Sequence, residues 1–374
     1  MQGPDERTAA LEPLIDVAAS PVVAALSKAD LHLHQEVFPR LERIVARQQG
    51  REPYAWHAWA RHVMDTVPAG PGRLQAIYRP DQTLGVDRTL DNDPELFITR
   101  VADILAEAAA DGAIYVEVRF GADRLTALPD FMDLFREAEE RVQAHHPRLR
   151  AEAIGYVEVW DDAERLGAEE VKLHACLRAA RDGLGGIDLL VRPYDATEDP
   201  ELWGTAYRWA ERAASAGLGL TVHVGEFATT SIAAALRTPS LRRIGHGTHV
   251  ADDPQLLDDL ARSGVTVECA LTCNVVLGST PAYEDHPIRR FVRHGIPVTL
   301  ATDLPVHVHT TIGREYAIAS ILGFSPDELL TFTRNAVAAS FTTSTRRAAL
   351  LGELRPCPDP AGEAPDGRHD IPRL

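Results

Sequence analysis

Short apolar, β-branched runs alternate with longer amphipathic stretches rich in Ala and Leu along most of the chain. Eight of these runs read as strands: 29–34, 114–120, 151–159, 186–191, 218–224, 243–246, 265–271 and 297–303. The stretches 96–111, 129–145, 168–182, 200–216 and 254–263 carry apolar residues at helical spacing, and 325–341 and 342–354 continue that pattern after the last strand. Parallel strands need long crossovers, and helical crossovers cover the faces of the sheet. The pattern therefore predicts an α/β fold, a closed (β/α)8 TIM barrel over 27–354, with an open doubly wound sheet as the alternative. Residues 41–93, which include Trp56 and Trp59, are too many for a single connection. They predict a helical insertion after the first strand, lying over one mouth of the barrel. Residues 1–26 read as an N-terminal segment, and 355–374, rich in Pro, Asp and Gly, as a disordered tail.

The 374 residues, 45% apolar and 25% charged, suit a barrel of about 250 residues with insertions. A formal net charge of −17 argues against a nucleic-acid partner, because phosphate backbones are held by clustered Lys and Arg. The apolar stretch 15–26 carries Asp16 and falls short of the ~20 residues that span a bilayer. Asp5 and Glu6 stand where a signal peptide would be basic. Cys176, Cys269, Cys273 and Cys357 form no CxxC pair, which fits a reducing cytoplasm. A cytoplasmic protein with a small-molecule substrate, and no nucleic-acid or membrane partner, is the expectation.

The informative polar residues sit at strand ends, and a barrel builds its active site at the C-terminal ends of its strands. His32 and His34 end the first strand, His223 the fifth, His246 the sixth and Asp303 the eighth. Side chains at i and i+2 of a strand share a face, so both imidazoles of His32-Leu33-His34 enter the lumen together. Neutral imidazole is a good Zn²⁺ ligand, and His223 and Asp303 can supply a third nitrogen and an oxygen. Taken singly, each has a bland reading: a satisfied core histidine for His32, His34 or His223, and a helix cap for Asp303. Glu226, just past the fifth strand, is either a carboxyl kept protonated by exclusion of water or an ordinary acid at a helix start. The flanking glycines of His246 allow close backbone approach at the mouth.

These segments resemble the adenosine deaminase family of the amidohydrolase superfamily. The resemblance is carried by 28–34 (Lys-Ala-Asp-Leu-His-Leu-His), 115–119, 221–226, 243–247, 268–274, His286-Pro287, Thr302-Asp303 and Glu315-Tyr316, in family order. It implies His32, His34, His223 and Asp303 as the ligands of one Zn²⁺. It further implies Glu226 as the acid that protonates the ring nitrogen, His246 as the group orienting water, and Asp303 as its proton acceptor. Glu117 and Arg119, on one face of the second strand, are expected to form a buried polar network. Cys269 and Cys273 are expected to be core residues.

The chain departs from the family pattern at purine-contacting positions. Leu304 stands where a second acid usually follows the first, Val37 replaces a small residue, and Val191 replaces a glycine. Glu36 keeps an acid where the family often places one for a sugar hydroxyl. Arg192, His307 and His309 flank the ends of the fourth and eighth strands and are candidate specificity groups. The expectation is a zinc-dependent hydrolytic deaminase of an amino-heterocycle or modified nucleoside. The alternatives are an inactive ligand-binding protein and a hydrolase of another amide-type bond. The GxGxxG of a Rossmann dehydrogenase and the PCxxC pattern of nucleic-acid deaminases are both absent.

Overall fold

The structure, a computed structural model, describes residues 19–354. The sequence-predicted tail 355–374 and most of the N-terminal segment lie outside the described residues. Eight strands form one sheet in chain order: β1 (Lys28–His34), β2 (Ala113–Gly121), β3 (Arg150–Val159), β4 (Gly186–Val191), β5 (Gly219–Val224), β6 (Arg243–His246), β7 (Thr266–Cys269) and β8 (Val298–Leu300). Every neighbouring pair is parallel. The chain leaves the ladder after Leu300 and returns to β1 at Asp303. There Asp303 N donates to His32 O at 2.7 Å, and His34 N donates to Asp303 O at 2.8 Å. The seam of this (β/α)8 barrel is thus drawn together beside the histidines of β1.

The crossover helices start where capping chemistry says they should. Asp93, Asp199 and Asp253 each precede a proline at the first helical position, and each accepts a backbone N–H from the first turn, at 2.9, 2.7 and 2.8 Å. The helix Ala163–Ala179 begins earlier than its apolar spacing predicts, because Asp162 accepts the Arg165 N–H at 2.8 Å and caps it there. β7 is shorter than predicted, since its apolar run turns directly into the helix Leu271–Leu277. Among the described residues no helix is long and apolar enough to cross a membrane.

Residues 37–83 form the helices Val37–Gln48, Trp56–Thr66, Pro71–Ile77 and Arg79–Thr83. Ala60, Val63, Ala76 and Ile77 pack with Cys273, Val276, Leu277, Leu304 and Val308 in a small core of their own. That core seats the insertion on the face of the barrel where the strands end.

Large apolar side chains usually fill such a lumen, but charges fill this one. Arg119 donates to Asp188 through Nε, to Glu268 through Nη2 at 2.6 Å and to the Leu31 carbonyl through Nη1. Arg243 donates to Glu268 at 2.5 Å and also to Glu117, and all five side chains are fully buried. The predicted network thus exists, but Glu117 and Arg119 reach different partners in it. Below it Phe341 closes the barrel, its ring 3.5 Å from the Arg243 guanidinium carbon. The Phe341 ring lies against Gly186 and Gly219, and a Cβ on Gly219 would overlap it.

Gly219→Ala is therefore expected to destabilise the barrel by about 1–3 kcal/mol through overpacking. Denaturant unfolding reads this as a lower midpoint at unchanged slope, and an unchanged midpoint would mean that the plug can yield.

Candidate active site

The end of β1 supplies His32 and His34, the end of β5 His223, and the turn after β8 Asp303. Asp303 Oδ1 lies 3.4 Å from His32 Nε2 and 3.3 Å from His34 Nε2, and the Nε2 atoms of His34 and His223 are 3.3 Å apart. All four donor atoms fall within 4.8 Å of one another. Nitrogen and oxygen ligands about 2.0–2.1 Å from one tetrahedral centre lie about 3.3–3.4 Å apart, so the set fits a single cation. Orphaned atoms support the fit: both ring nitrogens of His32 are buried and make no hydrogen bond.

Carboxylates stand behind two of the imidazoles. His223 Nδ1 lies 3.0 Å from Asp188 Oδ1, and His32 Nδ1 lies 3.0 Å from Glu268 Oε2. Burial alone would raise the pKa of both carboxyls. His223 and Arg119 outweigh it at Asp188, and Arg119 and Arg243 outweigh it at Glu268, so both stay well below the usual carboxylate range. The ionised Asp188 holds the proton at His223 Nδ1 and turns its Nε2 lone pair toward the shared centre, whereas Glu268 sets its charge against the His32 ring without a hydrogen bond. The backbone is tightly fitted here. A Cβ on Gly245 would come within 2.7 Å of the His32 ring, and both His246 and Asp303 adopt positive φ, 68° and 61°.

Glu226 follows the left-handed Gly225 at the end of β5. Asp195 holds this turn by accepting the Gly225 and Phe227 N–H groups, at 2.7 and 2.8 Å. Glu226 Oε2 accepts the Tyr194 hydroxyl at 2.9 Å, while Oε1 is buried without a hydrogen-bond partner. Burial, and then the nearby Asp303 carboxylate, push the Glu226 pKa well above the ordinary value. His246 Nε2 stands 3.8 Å from Glu226 Oε2 and 3.9 Å from Asp303 Oδ2.

These groups open onto a cavity of about 120 Å³. Its walls include Tyr156, Leu190, Arg192 and Tyr194 from the barrel, and Leu74 and Tyr78 from the insertion. Among the residues expected to bind substrate, Arg192 and Leu304 line this cavity, whereas Glu36, Val191 and His307 do not. The Val191 side chain faces outward into the main core, because Asp188 and Leu190 take the inward positions of β4. Glu36 accepts the Val306 and His307 N–H groups, both at 2.9 Å, and contacts His307 Nδ1 at 2.7 Å. His307 Nε2 reaches Asp81 of the insertion at 3.3 Å. Burial would lower the His307 pKa, but its hydrogen bonds with Asp81 and Glu36 raise it to about 9, so the charged ring clasps the insertion to the barrel. His309 lies outside the cavity lining, 5.4 Å from the His57 ring.

Sequence reasoning missed Tyr194, Asp195 and Asp188. A lone acid inside the apolar run of β4 was the available signal for Asp188. Tyr194 and Asp195 lie in the loop after β4, and only the fold brings them to Glu226.

A family model described as "Adenosine deaminase" matches residues 90–356. The adenine deaminase of Chelativorans sp. (strain BNC1) is 30% identical over 352 residues, which cover 88% of this chain and 98% of that protein. The adenosine deaminase of Erwinia tasmaniensis is 28% identical over 345 residues, with coverage of 88% and 98%. The crystal structure of adenine deaminase from Arthrobacter aurescens superposes with a TM-score of 0.69 at 24% identity, covering 88% of this chain and 98% of its own, a likeness of fold.

Asp188→Asn is expected to weaken metal binding by about 10–100-fold while the protein stays folded, since loss of an outer partner releases the orientation of its histidine. Competition against a chromophoric chelator measures this. Unchanged affinity would mean that Asp188 does not orient His223.

Proposed function

This chain belongs to the adenosine deaminase family, and we propose that it is a zinc enzyme that deaminates a free, planar amino-heterocycle of base size. The protein is a hydrolase that cleaves a C–N bond, a hydrolytic deaminase. One observation carries the finer reading, the unpartnered Glu226 Oε1. Tyr194 occupies Oε2, so the proton of a neutral Glu226 carboxyl resides on Oε1 and needs an acceptor. A ring nitrogen next to the amino-bearing carbon is such an acceptor.

His32, His34, His223 and Asp303 would hold the metal, and three nitrogens with one oxygen suit Zn²⁺. A cation held there lowers the pKa of a water to about 7 and so supplies a nucleophile at neutral pH. Glu226 donates its proton to the ring nitrogen as the water oxygen bonds to the neighbouring carbon, so the ring takes up the electron pair of its C=N bond. Asp303 Oδ2 accepts the water proton and returns it to the amino group. The exocyclic C–N bond then breaks and ammonia leaves; the remaining hydroxyl proton is released as the C=O bond forms and restores the Glu226 carboxyl, and the ring keeps a carbonyl oxygen and a protonated nitrogen. His246 orients the attacking oxygen and stabilises the charge that develops on it.

Three features support a free base over a nucleoside. The cavity of about 120 Å³ lies well below the ~300 Å³ at which sites for larger ligands begin. The Glu36 carboxylate is already taken up by Val306 and His307, which leaves it no sugar hydroxyl to bind. Leu304 presents an apolar edge where a second acid would demand a polar ring atom. Tyr156, Tyr194, Leu190 and Leu74 offer a planar heterocycle apolar and aromatic walls. A cytoplasmic location belongs to the same proposal and is supported by three buried free thiols, Cys176, Cys269 and Cys273.

A panel of aminopurine bases, aminopyrimidines, pterins and nucleosides assayed for ammonia release is the test. At least one free base should exceed adenosine in kcat/KM by about 10²-fold or more. Preference for adenosine would overturn the substrate proposal. Glu226→Gln should retain its metal and lose about 10²-fold or more in kcat, and near-normal turnover would remove Glu226 as the acid.

A further inference from the structure

Behind His246 runs a chain of buried hydrogen bonds whose direction is set by a backbone amide. The Ile288 N–H lies 3.2 Å from His286 Nδ1. An amide N–H can only donate, so His286 Nδ1 must be the accepting nitrogen and the ring carries its proton on Nε2. His286 Nε2 stands 3.2 Å from Asn274 Oδ1 and donates to it. That bond orients the Asn274 amide, whose Nδ2 therefore donates to His246 Nδ1 at 3.1 Å. Asn274 is fully buried, and His286 and His246 are 4% and 1% exposed, so no solvent offers these groups other partners. Burial also pushes the His286 pKa down to about 3, which keeps that ring neutral.

We propose that Asn274 and His286 are positioning residues that fix His246 as the neutral Nε2–H tautomer, a hydrogen-bond donor facing the reacting centre. The inference rests on the proposed deaminase reading only for the identity of that centre, since the proton assignment follows from the hydrogen bonds alone. Its first consequence is for the metal. The Nε2 atom of His246 lies within 4.8 Å of the donor oxygens of Glu226 and Asp303 and could join a ligand set. Carrying a proton there, it has no lone pair to give, so the metal set ends at His32, His34, His223 and Asp303. The second consequence is for the reaction. With Nδ1 already accepting from Asn274 and Nε2 protonated, His246 cannot take the proton of the attacking water. It donates to the oxygen instead, and the proton must go to Asp303. His246 is thus set opposite to His32 and His223, two of the three metal-facing histidines, whose Nδ1 atoms lie near carboxylates.

The test is nitrogen NMR of histidine side chains in the ¹⁵N-histidine-labelled, zinc-loaded protein, with the His246 signals identified by their loss in His246→Asn. Wild type should show a protonated Nε2 and a lone-pair Nδ1 at His246. In Asn274→Asp the carboxylate accepts at both ends, so the His246 Nδ1 resonance should shift to the protonated type. A protonated Nδ1 in the wild-type protein overturns the proposal, and so does an Asn274→Asp protein whose Nδ1 keeps its lone-pair signal. The wild-type spectrum decides the question even where the variant fails to fold. Failure here leaves the substrate preference intact, whereas a protein that prefers adenosine but shows the predicted tautomer would sink only the proposed substrate class.

Discussion

Arg119 lies in the middle of the barrel with no water to solvate it, and its three partners are Asp188, Glu268 and the Leu31 carbonyl. Removing a cation and two carboxylates from water is costly, and the cost is offset only when every donor and acceptor is met. This arrangement meets that demand while leaving one face of each acid free for an imidazole. Asp188 takes His223 and Glu268 takes His32. The guanidinium therefore fixes the carboxylates behind two proposed metal ligands that it never touches. Arg243 extends the same logic downward, linking Glu268 to Glu117 and stacking on Phe341 at the closed end of the barrel.

Above this layer the site is organised by where protons sit. Asp188 holds the His223 N–H and aims its other nitrogen at the proposed cation site, whereas the amide chain through Asn274 aims an N–H from His246 at the same region. Burial and Asp303 both favour the neutral form of Glu226, and Tyr194 on Oε2 leaves Oε1 as the place for its proton. Acceptors, a donor and an acid thus face one small volume. Positive φ at His246 and Asp303 shows that the backbone is bent to bring them there.

The barrel and the polar cluster proposed to hold the cation were legible because they interrupt a simple rule. His32, His34, His223, His246 and Asp303 are polar groups at the ends of otherwise apolar strands, and period-two alternation says which way they point. Helix starts were legible where an acid precedes a proline, and less so at Asp162, which lacks that proline. Groups whose meaning depends on distant partners were not legible. Glu36 looks free in the sequence, yet it is bound by His307 from 271 positions away. Asp195 reads as a loop acid, but its carboxylate holds the turn that carries Glu226. The cavity walls Leu74 and Tyr78 come from an insertion whose hydrophobic pattern reveals helices but not where they dock.

The central claim is that three imidazoles and one carboxylate from β1, β5 and the turn after β8 share a single divalent ion. X-ray absorption at the zinc edge, on protein loaded with one equivalent of Zn²⁺, tests it most directly. The account predicts nitrogen and oxygen neighbours only, at about 2.0–2.2 Å, with the multiple-scattering signature of three imidazoles. A sulfur shell near about 2.3 Å, or fewer than three imidazoles, would contradict it.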